Sequence, residues 1–319
     1  MGDLITADTP SLLAVAFLVG IVIGLTGMGG GALMTPALIF LGVPPTAAVA
    51  NDLVAAAINK SVGAAVHVKH GSPNLELAKW LIIGSVPTSF AGAFIIQAIG
   101  AAHDQQSFLK TAIGYALLLT ASTFTIRVYL EMRRGYTDDT GAAGDPVVRP
   151  LPTLAVGAVG GLLVGLTSVG SGSLIMISLL LLYPMLNARK LVGTDLVQAI
   201  PLVLSAAISH VIVSGIDWAV LIPLVIGGSP GTFVGARLAT VVSPSVLRRG
   251  IAMVLTLTGL ALLKVPPLWV GALGAAMVIL GPIAWGLVKA SHGRKPFVHL
   301  PIGRKEPEPS LHENGPSHD

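Results

Sequence analysis

Long apolar segments separated by short polar stretches fill most of the chain. They lack the two-residue alternation of half-buried strands, and the longer ones approach the roughly 20 residues that a helix needs to cross a bilayer. The pattern therefore predicts an all-α polytopic membrane protein rather than a barrel of short alternating strands. The apolar segments are Ser11–Leu25, Ala32–Leu41, Thr46–Val66, Ala78–Gly100, Ser107–Val128, Leu151–Leu166, Ser173–Tyr183, Lys190–Val213, Trp218–Val241, Leu247–Leu263 and Pro267–Val288.

Composition excludes several other classes of protein. Hydrophobic residues make up 53% of the 319 residues, charged residues only 11%, and Cys is absent. A soluble domain carries about 25% charged residues, so this chain has too few to cover a water-facing surface. Without Cys, a zinc-cysteine module and a disulfide scaffold are excluded. The net charge is +4, but the basic residues lie at segment ends, so we expect no nucleic-acid partner.

The sequence contains no arrangement of residues that is typical of a catalytic centre. An intramembrane hydrolase or acyltransferase needs a nucleophile–base set or metal ligands within the apolar segments. The chain has no Cys and no HExxH motif, and its histidines lie mainly at segment ends or in the tail. We therefore expect no enzyme, no metal site and no cofactor.

The two halves of the chain resemble each other. A glycine-rich motif matches at an offset of 141 residues, and after a two-residue insertion the matches continue at 143. Paired repeats of this kind recur in secondary transporters. The matched pairs are Gly24–Leu33 with Gly165–Leu174, Asn51–Leu53 with Thr194–Leu196, His67 with His210, and Gly84, Pro87, Phe90, Gly92 and Ala93 with Gly227, Pro230, Phe233, Gly235 and Ala236.

The distribution of Lys and Arg indicates that the two repeats are inverted, because these residues collect on the cytoplasmic side. The loop His67–Gly71 contains Lys69, whereas its counterpart His210–Ser214 has neither residue. Conversely, Gly42–Thr46 is uncharged and its counterpart Pro184–Lys190 ends in two basic residues. Equivalent loops are therefore expected on opposite sides, with the N-terminus outside and the C-terminus cytoplasmic.

This orientation requires Ser11–Leu41 to return to the side from which it enters. At 1.5 Å per residue its two arms span about 22 and 15 Å, so neither crosses comfortably alone. We predict a broken hairpin here and another at Leu151–Tyr183, together with seven full spans. The alternative counts the arms as ordinary spans, eight to nine in all. The expected domains are the first repeat (1–130), a cytoplasmic linker (131–150), the second repeat (151–290) and a disordered cytoplasmic tail (291–319).

The glycine-rich bends of the hairpins are the first candidate site. Four of the six residues of Thr26–Gly31 are Gly, which breaks the helix and leaves the N–H groups of the next helix free to attract an anion. Thr167–Ser173 supplies the same geometry with added hydroxyls. The alternative is that glycines only allow close helix packing, the role we assign to Gly227, Gly231 and Gly235 and their counterparts. The candidates are Thr26, Gly27, Gly29, Gly30, Gly31, Thr167, Ser168, Ser171, Gly172 and Ser173.

Ionisable residues within apolar spans are the second candidate group, because they are costly there unless they serve a function. Helical spacing places Asp52, Lys60 and His67 on one face, and Asp195 and His210 repeat the acid and the imidazole. Lys60 has no counterpart and could face an anion, extend to the interface, or pair with an acid. The acids are candidates for proton coupling or for helix capping, and the histidines for proton coupling or a structural hydrogen bond. Substrate-binding candidates on these spans are Asn51, Lys60, Thr194 and Gln198.

The ordered series of motifs resembles the sulfite exporter TauE/SafE family of membrane permeases. It comprises Gly24–Pro36, Leu41–Ala47, Asn51–Leu53 and Asn59–His67, followed in the second half by Gly165–Met176, Val192–Leu196 and Gly227–Leu238. The resemblance implies a multi-pass protein of the bacterial plasma membrane that moves sulfite, a sulfonate such as sulfoacetate, or another small anion. The partners expected are this solute and the lipid bilayer, with a homodimer left open.

Overall fold

The computed structural model describes residues 9–26, 30–67, 73–134, 147–170, 172–184, 186, 188–238 and 244–291. These residues form helices and their connections, without a strand, which confirms the all-α prediction. The helices are α1 (Thr9–Thr26), α2 (Gly31–Phe40), α3 (Pro45–His67), α4 (Leu75–Ala98), α5 (Ala102–Arg134), α6 (Pro150–Thr167), α7 (Leu174–Leu182), α8 (Ala188–Ser214), α9 (Trp218–Leu238), α10 (Pro244–Leu262) and α11 (Pro267–Ser291).

The chain forms two units. The first, Met1–Gly274, contains α1 to α10 and the start of α11, and so runs across both predicted repeats. The second, Ala275–Asp319, contains the rest of α11. The predicted disordered tail lies outside the described residues apart from Ser291, and so does most of the predicted linker, although α5 extends into it as far as Arg134.

Both predicted bends interrupt a helix. The first interruption separates α1, which ends at Thr26, from α2, which begins at Gly31, and the second separates Thr167 from Leu174. The second hairpin folds back on itself, because the hydroxyl of Tyr183, after α7, accepts from the backbone N–H of Arg149 at 2.8 Å and lies 2.6 Å from Thr153 Oγ1 near the start of α6. The end of the short arm, α7, thus meets the beginning of the long arm, α6.

The long arms of the hairpins are longer than the sequence pattern indicates. Helices α1 and α6 each have 18 residues, which corresponds to about 27 Å at 1.5 Å per residue. Both therefore belong to the six helices that are long and apolar enough to cross a membrane within the described residues: Thr9–Thr26, Leu75–Ala98, Ala102–Ile126, Pro150–Thr167, Lys190–Ser214 and Trp218–Leu238. Helix α3 is also long, but its polar residues, including Asp52 and Lys60, lower its mean hydropathy.

Glycine allows α1 to pack directly on α9, and α4 on α6. A Cβ atom at Gly231 would lie 2.2 Å from the backbone oxygen of Phe17, and one at Gly235 would lie 2.1 Å from that of Ile21. The packing role predicted for these glycines is confirmed. The contacts recur at the offsets of the sequence repeat, Gly84 meeting Leu154 as Gly227 meets Leu13, and Gly165 meeting Ser89 as Gly24 meets Thr232.

The central helices α3 and α8 pack against each other and bring the matched acid positions of the two halves into one region. Leu53 on α3 and Leu202 on α8 belong to the same buried hydrophobic cluster, which also includes Ile175 of α7. The second hairpin and both long central helices therefore share one core, and this core carries the candidate site.

Candidate functional site

The two bends touch each other in the interior of the first unit. A Cβ atom at Gly31 would lie only 1.7 Å from the backbone oxygen of Ser168 and 2.7 Å from its Oγ, so no residue larger than Gly fits there without a shift of the backbone. Gly31 begins α2 and Ser168 directly follows α6. The start of α2 thus contacts the end of α6.

Asp52 lies at the junction of the bends and is 2% exposed. Its Oδ2 accepts two hydrogen bonds from hydroxyl groups, one from Thr35 Oγ1 at 2.5 Å and one from Ser168 Oγ at 2.8 Å. Thr35 belongs to α2 and Ser168 to the second bend, so this carboxyl group connects the two halves. Asp52 therefore lies in the interior and does not cap the start of α3 as the alternative interpretation supposed.

Ser168 adopts a backbone conformation that is rare for residues other than Gly. Its φ of 61° and ψ of −1° lie in the left-handed region, where an L-residue costs about 1–2 kcal/mol. The same residue donates to Asp52 and forms the contact with Gly31. Strain of this kind persists where the surrounding structure enforces it, and it is concentrated at binding and switch sites.

Lys60 links the acidic groups of the two halves electrostatically. Its ammonium group interacts with the carboxyl groups of both Asp195 and Asp52, and the side chain is partly buried. Asp195 is 7% exposed and also accepts a hydrogen bond from Gln198 Nε2 at 3.0 Å. The structure therefore brings together the lysine and both acids that the sequence placed on α3 and α8.

Two amide side chains next to these acids retain unused acceptors. Asn51 Oδ1 and Gln198 Oε1 are buried and find no hydrogen-bond partner among the described residues. The amide nitrogens are occupied, because Asn51 donates to the backbone oxygen of Ala47 and Gln198 donates to Asp195. The free atoms are acceptors, so they would bind a hydrogen-bearing group such as water or a protonated oxygen.

Several other candidates make hydrogen bonds that maintain the fold. Thr26 and Thr167 donate to backbone oxygens of their own helices. The Thr194 hydroxyl donates to the backbone oxygen of Lys190 and accepts from the N–H of Asn74, which joins α8 to the start of α4. His210 is 2% exposed, and its Nε2 lies 2.7 Å from the Gly165 oxygen. Since a carbonyl can only accept, Nε2–H donates to this helix end, which is the structural role considered for the histidine.

The remaining candidates are only partly covered by the structure. Gly27, Gly29 and Ser171 lie outside the described residues, and for His67 only the backbone, at the end of α3, is described. Gly30 precedes α2, and a Cβ atom there would lie 3.9 Å from Asp52 Oδ1. Gly172 and Ser173 lie immediately before α7. The described residues include no group of three or more His, Cys, Asp or Glu side chains that could hold a metal ion.

Two threonines of the site were not found from the sequence. Thr35 donates to Asp52, and the Thr120 hydroxyl on α5 lies 4.0 Å from the position of a Cβ atom at Gly170, in the second bend. Thr35 could have been noticed as the one hydroxyl in the apolar segment Ala32–Leu41. Thr120 could not, since α5 carries many hydroxyl residues and its sequence does not show which of them faces a bend.

Comparison with known proteins agrees with this arrangement. The family profile described as sulfite exporter TauE/SafE matches residues 12–262, which include both bends and the acids. The chain belongs to this family. The span extends from α1 to the end of α10, so the site described above lies entirely within the TauE/SafE region.

Curated relatives match stretches of similar length. The chain is 36% identical over 254 residues to the probable membrane transporter protein YjnA of Bacillus subtilis, covering 79% of this chain and 99% of the relative. It is 27% identical over 255 residues to YdhB of the same organism, with the same coverage. A probable membrane transporter protein of Xylella fastidiosa strain 9a5c is 28% identical over 235 residues, 72% of this chain and 84% of the relative. No solved structure matches. The chain is thus a multi-pass membrane protein of a transporter family.

Proposed function

We propose that this TauE/SafE protein is a secondary transporter that moves a small sulfur oxyanion or sulfonate, such as sulfite or sulfoacetate, across the bacterial plasma membrane. The observation that carries the proposal is the contact between the two bends, Gly31 against Ser168, beside two buried acids and the partly buried Lys60. Irregular backbone at membrane depth is tolerated where protein surrounds it or where it lines a cavity, and in transporters it forms the binding site.

In this proposal the bends bind the solute through neutral donors and Lys60 supplies the positive charge. The helices α2 and α7 begin at the bends, and the partial positive charge at a helix start favours an anion. Hydroxyls from the second bend add donors. Asn51 and Gln198 have free acceptors and would contact a protonated oxygen of the solute or a water molecule that accompanies it.

Alternating access would proceed through separation of the bends. In the structure Asp52 joins them by accepting from Thr35 and Ser168, one residue from each half. Asp52 or Asp195 would carry the coupling proton, because a change of charge at the junction alters both the hydroxyl contacts and the interaction with Lys60. His210 already donates to a helix end and is a less suitable carrier.

The experiment is a flux assay in proteoliposomes with sulfite and sulfoacetate. Replacing Lys60 by Met should weaken apparent affinity by about 10-fold or more, as expected when a hydrogen bond to a charged group is lost. Gly30→Leu should abolish flux, because the side chain would project toward Ile23 and Asp52, 3.0 and 3.9 Å from the Cβ position. Ser171→Leu should do the same at the second bend.

Gly250→Leu is the matched control, because a Cβ atom at this exposed position of α10 would meet nothing within 4 Å. If this control and both bend variants transport equally well, the bends do not form the binding site. Saturable flux that is stimulated by solute on the far side supports a carrier, whereas non-saturable flux indicates an anion channel. Saturable flux of another small anion, without flux of sulfite or sulfoacetate, would show that the proposed solute is wrong. The assignment of the binding site to the bends would still stand.

A further inference from the structure

Thr120 is a buried hydroxyl residue whose polar atom is not used by the fold. It is 1% exposed, and its Oγ1 finds no hydrogen-bond partner in the described part of the chain. Burying a hydroxyl without a partner opposes folding, so such groups are rare in native structures and call for an explanation.

Its neighbours on α5 show that a partner within the helix is the usual solution. Thr111, Ser122, Thr123 and Thr125 each donate to a backbone oxygen three or four residues earlier in the same helix. Thr120 differs from all four. Its hydroxyl makes no such bond and remains available to whatever packs against α5 at that level.

The second bend packs there. A Cβ atom at Gly170 would lie 4.0 Å from Thr120 Oγ1, and Gly170 has φ of +101°, a conformation that suits Gly and keeps this surface free of a side chain. Helix α7 begins four residues later at Leu174 and has nine residues. The unpartnered hydroxyl thus lies beside the bend that leads into an interrupted helix. Leu174 N–H donates to the Gly170 oxygen at 3.3 Å, and the backbone N–H groups of a helix start favour an anion.

The start of α2 at the first bend differs from the start of α7, because a carboxyl group of the protein lies beside it. At the second bend the same carboxyl group meets Ser168, which directly follows α6 and precedes the start of α7 by six residues. Asp52 Oδ1 is 3.9 Å from the Cβ position of Gly30, and Asp52 Oδ2 accepts from Thr35 on α2. A resident carboxyl at the start of α2 disfavours a second anion there, since like charges repel. The starts of α2 and α7 are therefore not equivalent as anion sites.

We infer that the anion binds chiefly at the second bend and that Thr120 is a specificity-determining residue that donates its hydroxyl hydrogen to an oxygen of the solute. This inference rests on the proposed function and assigns the anion to one of the two bends. It also gives α5, outside both hairpins, a direct part in binding. A sulfite or sulfonate group presents three oxygens, so one can face Thr120 while others face the backbone of the bend.

The test compares three variants by titration calorimetry and thermal unfolding of the purified protein with sulfite and sulfoacetate. Thr120→Val keeps the shape and removes the hydroxyl, so affinity should fall about 10-fold while the melting temperature stays equal or rises. Thr120→Ser should retain affinity. Ser85→Ala removes another buried, unpartnered hydroxyl, on a residue whose backbone meets Gly161 in the α4–α6 contact, and should leave affinity unchanged.

Unchanged affinity in Thr120→Val, with the wild type binding, overturns the inference and leaves the proposed function standing. A lower melting temperature in Thr120→Val that Thr120→Ser does not restore would assign the residue a structural role and also overturn it. Failure of the wild type to bind either anion contradicts the proposed solute and the inference together. Loss of affinity in Thr120→Val alone, with the melting temperature retained, supports it.

Discussion

Asp52 shows how a single buried carboxyl group connects distant parts of the chain. It accepts from Thr35, 17 residues earlier, and from Ser168, 116 residues later, and Lys60 contributes a favourable charge. Burying a carboxyl group is costly unless hydrogen bonds and an opposite charge compensate. Because the donors come from both halves, the compensation is available only while the bends are together.

Ser168 allows the contribution of one of these donors to be measured. Ser168→Ala loses the hydrogen bond and keeps the left-handed backbone, so it should lower the free energy of unfolding by about 1–3 kcal/mol. Ser168→Gly loses the same bond but relieves the backbone strain, and should be about 1 kcal/mol more stable than the Ala variant. Unfolding in detergent measures both. An Ala variant as stable as the wild type would show that the hydroxyl contributes nothing.

The helices pack through surfaces of small residues rather than through interlocking large side chains. Along α9, Gly227, Gly231 and Gly235 lie on one face and contact the backbone of α1. In a bilayer the hydrophobic effect contributes little to helix association, because lipid tails are as apolar as the side chains. Van der Waals contact between closely packed backbones therefore stabilises the helix pair. The tight α1–α9 and α4–α6 contacts fix where the long arms lie and hence where the bends meet.

Two glycines of α9 that lie three residues apart on the same helix test this packing. Gly231→Ala would place a Cβ atom 2.2 Å from the backbone oxygen of Phe17 and should cost about 1–3 kcal/mol of stability. Gly228→Ala meets nothing closer than 3.8 Å and should be neutral or stabilising by up to about 1 kcal/mol, because Ala favours helix. Thermal unfolding in detergent separates them. Equal effects would argue against backbone contact as the stabilising feature.

At the scale of the whole molecule, the two halves contact each other reciprocally. The contact of Gly84 with Leu154 is repeated by Gly227 with Leu13, and that of Gly114 with Leu263 by Gly259 with Leu118. Such reciprocity is what two repeats related by a two-fold axis produce. This axis lies in the membrane plane if equivalent loops of the two halves face opposite sides of the bilayer. The charge pattern predicts this arrangement of the loops.

Single cysteines test this orientation cleanly, because the chain has no Cys of its own. Cysteines replacing Leu41 after α2 and Ser214 at the end of α8 should react with a membrane-impermeant maleimide in intact cells. A cysteine replacing Val147, which is 89% exposed before α6, should react only after permeabilisation. Labelling of Leu41→Cys and Ser214→Cys from opposite sides would contradict the inverted arrangement.

The sequence determined the local features of this protein. Long apolar segments define the helices and glycine clusters break them, because both features depend on residues close together in the chain. The matched motifs indicate two similar halves, because each motif is a short run of residues that can be recognised wherever it recurs. Helical spacing also placed Asp52 and Lys60 on one face of α3. The lengths of the two long arms were underestimated because α1 begins before its apolar segment and both long arms extend into the bends.

Tertiary structure alone decided which groups meet. Gly31 contacts Ser168, Ser168 donates to Asp52, and Thr120 lies near Gly170. These residues are too far apart in the chain for a sequence pattern to show that they meet. The same is true of Thr194, whose hydroxyl joins α8 to Asn74. Hydrogen bonds and backbone contacts of this kind depend on ångström-scale distances between helices, and those distances follow from the packing of the whole molecule.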